Sequence, residues 1–248
     1  MHRDELARYL DRTLDVARVA DYCPNGLQVE GREEIRTIVT GVTASIALIE
    51  AALAAGADAL LVHHGYFWRG EDPRLVGTRR RRIALLLANE LSLFAYHLPL
   101  DLHAEFGNNV QLAAHLGIVA EGRAGEAELV AYGVLRRPDT LERFGALVAE
   151  RLGRAPLVIG DPARRIERVA WCTGAAQSQF EIAIALGVDA YVTGEISEQH
   201  VHLARESGIA FIAAGHHATE RFGVQALGAH LAARFGIAHR FVDVPNPV

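Results

Sequence analysis

Along this chain, short apolar runs rich in β-branched residues alternate with stretches rich in alanine and leucine, the pattern of βαβ units around a largely parallel sheet. In the first half, residues 36–42 read as a strand, 45–55 as a helix, and 57–62 as a second strand running into His63-His64-Gly65. A helix over 82–89 follows, then a strand over 92–96 that leads to His97. The second half repeats the alternation, with strands at 166–172, 189–193 and 209–213 and helices at 177–186 and 197–206. A long helix over 217–235 and a last strand near 240–244 close the chain. The predicted fold class is α/β, in two lobes of similar topology with largely parallel sheets.

Similarity between the halves is visible in the residues themselves. A slide of 131 positions lays residues 35–64 on 166–195 without a gap, bringing Ile35 onto Ile166, Ala44 onto Ala175, Glu50 onto Glu181 and Ala52 onto Ala183. Gly56, Asp58 and Ala59 fall on Gly187, Asp189 and Ala190. Most matches are alanine or glycine, so shared βαβ composition is the competing explanation to duplication. A second correspondence is chemical: His97-x-x-x-Asp101 and His216-x-x-x-Glu220 each follow the strand after the repeated unit. Gly122, Arg123, Gly125 and Glu126 interrupt the apolar periodicity, which predicts a joint near 121–128 and lobes over 1–124 and 125–248. No long or low-complexity linker separates them, so the lobes are expected to be packed rather than tethered.

Composition narrows the function classes. A chain of 248 residues with 50% hydrophobic content can bury one large core or two modest ones. The net charge of −5 gives no global positive field to gather nucleic acid or anionic membrane, and neither is expected as a partner. Cys23 and Cys172 lie far apart without Cys-x-x-Cys spacing, so neither a disulfide framework nor a thiolate zinc site is indicated. The polar N-terminus has no apolar segment behind it, and no apolar run approaches the ~18 residues of a membrane span. A reducing cytoplasm is the expected compartment.

Twelve histidines are the unusual feature. Neutral imidazole and carboxylate together hold divalent first-row metals, and ligands of open α/β sheets gather beyond the carboxyl ends of the strands. His63, His64, His97 and His216 all fall at such ends. Neighbouring histidines within a strand point to opposite faces, and Gly65 lets the backbone leave the strand so that His63 and His64 can share a site. Such a pair suits two adjacent ions. His216 and Glu220, four apart at a helix start, share one face, and Glu220 could bridge two ions through its two oxygens. Asp101 ends His97-Leu98-Pro99-Leu100-Asp101, where Pro99 stops regular strand pairing and fixes the approach of the carboxylate. His97 ranks below these five, as an outer neighbour that orients Asp101 or as a proton carrier. A lone histidine after a strand is more often an ordinary half-buried residue than a ligand. The weight here comes from an adjacent pair, an Asp and a His-x-x-x-Glu taken together.

Other features carry less. Thr219 can support the site or act as a plain backbone partner, and Asn108-Asn109 reads as a helix cap. Arg79, Arg80, Arg81 and Arg82 read as a solvated helix start, with a phosphate-holding rim as the alternative. Arg69, in Tyr66-Phe67-Trp68-Arg69, is better placed for phosphate, and its aromatic neighbours could stack on a flat base or form a lid or subunit contact. Gly174-Ala175-Ala176-Gln177 offers backbone amides to an anion, a weak signal without a full phosphate-loop pattern.

Several motifs in order resemble the GTP cyclohydrolase I type 2 family, also called the Nif-three-like family, in its short bacterial form. They are Asp21-Tyr22-Cys23-Pro24-Asn25-Gly26-Leu27-Gln28-Val29-Glu30-Gly31, Val39-Thr40-Gly41-Val42-Thr43-Ala44-Ser45, Val62-His63-His64-Gly65-Tyr66-Phe67-Trp68, His97-Leu98-Pro99-Leu100-Asp101, Thr193-Gly194-Glu195 and Gly215-His216-His217-Ala218-Thr219-Glu220. The resemblance spans nearly the whole chain. It implies interlinked lobes, a cleft holding two divalent ions on His63, His64, Asp101, His216 and Glu220, and a ring-shaped homohexamer. It also implies hydrolysis of a nucleotide or related heterocycle through a metal-bound hydroxide, with zinc, manganese, iron, cobalt and nickel all compatible with the ligands. The competing reading is a non-catalytic metal carrier or ring-shaped scaffold using the same ligands, and a third is DNA encirclement by the ring through the arginines at 79–82.

Overall fold

Strands that are apolar on both faces lie at the centre of each of two sheets, as parallel strands covered by helices require. The structure, a computed structural model, describes residues 1–125 and 127–248. The chain divides into two units, Met1–Phe106 with Gly223–Pro245, and Gly107–Phe222 with Asn246–Val248. The sheet of the first unit contains β1 (Gly26–Val29), β2 (Thr37–Thr43), β3 (Ala59–His64), β4 (Ser92–Ala95) and β11 (Ala238–Phe241), in the order β1-β4-β3-β2-β11. Only β1 runs antiparallel to its neighbour. Alternate residues feed two cores. Ile38, Leu61 and Phe94 pack with Leu6, Leu10, Leu227 and Leu231 on one face, and Val39, Leu60 and Leu93 pack with Leu48, Ile49 and Leu86 on the other.

The second sheet contains β5 (Ile118–Ala124), β6 (Val130–Thr140), β7 (Leu157–Ile159), β8 (Arg165–Trp171), β9 (Ala190–Thr193) and β10 (Ala210–Ala213), in the order β5-β6-β8-β9-β10-β7. Its parallel centre, β8-β9-β10, is flanked by antiparallel strands. Val169, Ala190, Val192 and Ile212 pack against Phe144 and Val148, while Ala170, Tyr191 and Phe211 face Phe180 and Ala204. Among the described residues no helix is long and apolar enough to cross a membrane.

The two parallel centres have the same register. Ile38 pairs with Ala59 and Val39 with Leu60; 131 positions later, Val169 pairs with Ala190 and Ala170 with Tyr191. The Asp58 carboxylate accepts the backbone N–H groups of Arg36 and Thr37 at 2.9 Å, and Asp189 accepts those of Glu167 and Arg168 at 3.0 and 2.9 Å. Coincidence of alanine and glycine does not reproduce such bonds, so the repeat is structural. The offset shortens to 118 at the third strand, where Ala59 pairs with Ser92 and Ala190 with Ala210. His97 is therefore the positional equivalent of Gly215, and Asp101 that of Thr219. The likeness of His97-x-x-x-Asp101 to His216-x-x-x-Glu220 is out of step by one residue.

The unit boundaries differ from the expected 1–124 and 125–248 at both ends. Residues 121–124 belong to β5, a paired edge strand that carries Glu121 and Arg123 at its exposed positions there; Gly122 marks a bulge and leaves room for the Tyr132 ring rather than ending the unit. Of the expected joint, Glu126 lies outside the described residues. At the other end, the helix Arg221–Phe235 starts in the second unit and continues in the first, where β11 joins β2. The helix expected over 82–89 begins earlier, at Gly77, and places the arginine run inside it.

Candidate metal centre

In the first unit, β3 ends on His63 and His64. A side chain at Gly65 would collide with Gln28 Oε1 and the Ala95 methyl, so only glycine lets the backbone pass there. The imidazole rings of His63 and His64 lie 4.7 Å apart. His63 is fully buried, and its Nδ1 donates to the Tyr96 carbonyl at 2.9 Å; a carbonyl only accepts, so Nε2 holds the lone pair. His64 Nδ1 bonds Thr43 Oγ1 at 3.0 Å. After β4 the chain turns at His97 into the short helix Leu98–Leu102, with Pro99 in its first turn where no N–H is needed. Asp101 is buried there, its Oδ2 3.5 Å from His63 Nε2.

His97 does not orient the Asp101 carboxylate through its ring. Its Nδ1 bonds Asp21 at 3.0 Å, while Asn25 Oδ1 accepts the His97 backbone N–H at 2.7 Å. His63, His64 and His97 each offer a ring nitrogen within 4.8 Å of the others. Burial alone would raise the Asp21 carboxyl, but hydrogen bonds from His97 and Asn25, the His97 charge and the Leu98 N–H hold it well below the usual range. Burial and the nearby Asp21 carboxylate push the Cys23 thiol up to about 12.

In the second unit, the short helix His216–Thr219 follows β10, and Glu220 sits at its end before Arg221–Phe235 begins. Glu220 is buried, with Oε2 3.1 Å from His216 Nε2. His216 Nδ1 donates to Glu195 Oε1 at 2.6 Å. Thr219 Oγ1 accepts the Gly174 N–H at 3.0 Å and donates to the His216 carbonyl at 2.9 Å, tying the 174 turn to the ligand helix. Gly174 has φ +70, and a methyl group there would strike Glu220 Oε1. Two amides of the expected anion cradle, those of Gly174 and Ala176, are taken by the hydroxyls of Thr219 and Thr193. Asn109 is not a cap; it accepts the Thr173 N–H and the Trp171 indole N–H and braces the same turn.

Each of the four histidines is thus anchored through Nδ1, to a carbonyl, a hydroxyl or a carboxylate, and His63 and His216 direct Nε2 toward the carboxylates of Asp101 and Glu220. This is how histidines in metal sites are held, with the partner fixing tautomer and ring direction. Imidazole and carboxylate donors with these orientations fit divalent metal ions. The helper residues Asp21, Thr43 and Glu195 all lie within the motifs that carry the resemblance, but nothing in the sequence assigns them a role as anchors. Glu195 had a signal: the 131-position slide places it on His64. Of the arginine run, Arg79 is held by Glu71 and the Asp72 carbonyl, and Arg82 lies 6.0 Å from the centre of the Tyr66 ring.

Comparison with known proteins settles the family. The sequence model of Duf34/NIF3 (NGG1p interacting factor 3) matches residues 1–247. The chain belongs to that family. A Pseudomonas aeruginosa relative named GTP cyclohydrolase 1 type 2 homolog is 59% identical over 98% of this chain and 97% of its own. One of the same name from Escherichia coli K12 is 51% identical over the full length of both. A solved structure described as protein ybgI, of unknown function, superposes with a TM-score of 0.97 at 50% identity, covering all of both chains.

Protonation offers an early check on this Duf34/NIF3 chain. Burial disfavours a charged His216, but hydrogen bonds and charge from Glu220 and Glu195 outweigh it and raise the imidazole from 6.5 to about 9. In metal-free protein the folded state therefore gains stability that is complete below pH 6.5 and lost as pH rises through about 9. Chelator-treated protein is expected to lose on the order of 1–2 kcal/mol of unfolding free energy across that window, after allowance for partial solvent screening. Urea titrations of parent and His216→Gln check it: the slope should flatten in the variant, and equal slopes would sink the assignment.

Proposed function

We propose that His63, His64 and Asp101 of the first unit and His216 and Glu220 of the second hold two divalent ions in one centre, and that this centre hydrolyses a nucleotide or related nitrogen heterocycle. The observation that carries the reading is the common anchoring of His63, His64 and His216 through Nδ1, which fixes the direction of each ring and turns its Nε2 away from the anchor. The donor set suits zinc, manganese, iron, cobalt or nickel. Bound divalent ions would supply Lewis acidity and make water a stronger acid. The chain's residues divide the remaining work. His63, His64, Asp101 and His216 fix position, and Glu220 offers two carboxylate oxygens for sharing. Glu195 and Asp21 accept from Nδ1 of His216 and His97 and so fix the tautomer and direction of each ring. His97 Nε2 carries the proton between water and the leaving group. The heterocycle is proposed from the name borne by relatives at 59% and 51% identity. We extend the proposal to a ring-shaped homohexamer, to be read from solution mass against the 26.9 kDa chain.

The test is turnover by metal-loaded protein on GTP and a panel of nucleotides, followed by chromatography and formate release. His97→Gln is expected to keep its metal and lose about 100-fold in rate, the usual weight of a general acid–base group. Failure of fully loaded protein to turn over any panel member, with transfer of its ions to an acceptor protein, would favour a metal carrier.

A further inference from the structure

We infer that Tyr22 and Trp68 form a wall against which the flat heterocycle of the substrate stacks beside the histidines. The choice of a heterocycle rests on the hydrolase reading; the wall itself rests on independent observations. The chain has two tryptophans, and they are treated differently. Trp171 is buried in the core of the second unit, whereas Trp68 is only half-buried and stands at the histidine group, its ring centre 5.0 Å from His97 and 6.1 Å from His64. Tyr22 joins it at 5.5 Å and also meets His97, edge-on, at 5.1 Å, yet half of Tyr22 remains exposed. Both rings thus contact the histidines and still keep open surface beside them.

The wall is also built to stay in place. Residues 21–25 and 66–71 are tied by the Arg69 N–H to the Tyr22 carbonyl at 2.7 Å and by Arg69 Nη2 to the Asp21 carbonyl at 3.1 Å. Gln28 adds a pair of bonds, donating to the Tyr66 carbonyl at 3.1 Å and accepting its N–H at 2.7 Å. Between them Phe67 adopts φ +67, a left-handed conformation that is unfavourable for a bulky side chain. That turn brings Trp68 back toward the histidines. Arg69, offered by sequence as a phosphate ligand, serves as a strut instead. Stacking on aromatic side chains accepts any flat base and contributes about 1–3 kcal/mol per base.

Equilibrium dialysis of metal-loaded protein with guanosine, cytidine and a pterin, and with ribose as the control that lacks a flat base, tests the wall. These probes carry no phosphate, so binding through phosphate is excluded. At least one of the three flat heterocycles should bind more tightly than ribose. Trp68→Leu and Tyr22→Leu should weaken it about 5- to 100-fold at unchanged metal content, and Trp68→Phe should restore most of the affinity. Equal binding by parent and Trp68→Leu, or no flat heterocycle binding better than ribose, would overturn the wall. Stacking without turnover would instead remove the hydrolase reading and leave the wall standing.

Discussion

Gly174→Ala is expected to reduce divalent-metal affinity by about 10- to 100-fold, although no ligand is changed. The added methyl group would occupy the space of Glu220 Oε1, and the left-handed backbone at φ +70 prevents the turn from moving aside at low cost. Glu220 has no easy retreat, because it is buried and its helix start is tied to the Gly174 N–H through Thr219. A matched control exists in the same unit. Gly187 has φ +62, and nothing lies within 4 Å of a Cβ built there. Gly187→Ala should therefore cost only the backbone term, about 1 kcal/mol of stability, and keep the parent's metal affinity. Competition against a chelating dye reads both variants. Equal metal affinity in the two would mean that Glu220 has no part in holding metal.

Asp58→Ala should lower the unfolding free energy by about 2–4 kcal/mol, because it leaves two backbone N–H groups unmet at the start of β2 and releases Arg32, 3.1 Å away. The repeat supplies a second instance of the same device. Asp189 accepts the corresponding pair of N–H groups before the parallel strands of the second sheet, but its side chain is 29% exposed where that of Asp58 is 13%. Water can replace more of what is lost, so Asp189→Ala should cost about half as much. Urea midpoints measure both, with changes under about 0.5 kcal/mol in each case showing that the carboxylates are ornaments of the repeat rather than supports.

How much of this could be seen in the sequence depended on where the physical signal was local. The parallel centres β2-β3-β4 and β8-β9-β10 were legible because both faces are buried, which leaves short apolar runs. The flanking strands β5, β6 and β7 were not, because an edge strand such as β5 is mostly exposed, mixes Val119 and Ala120 with Glu121 and Arg123, and has a Gly122 bulge that mimics a loop. The long helix was read as continuous from 217, although Glu220 interrupts it, because residue spacing continues through the break. Ligand candidates were visible as His, Asp and Glu at strand ends. Their anchors were harder, since Asp21 lies 76 residues from His97 and Thr43 21 residues from His64, and such partners are set by sheet topology rather than spacing. Glu195 was the exception, available from the internal repeat.

The central claim is that the chain holds two divalent ions on His63, His64, Asp101, His216 and Glu220. Its most direct test is elemental mass spectrometry of protein purified without chelator or affinity tag, with His63→Ala and Glu220→Gln prepared alongside. The expected result is about two ions per parent chain and a clear reduction in both variants while circular dichroism is unchanged. Parent protein that carries no metal even after reconstitution, or variants that match its content, would contradict it.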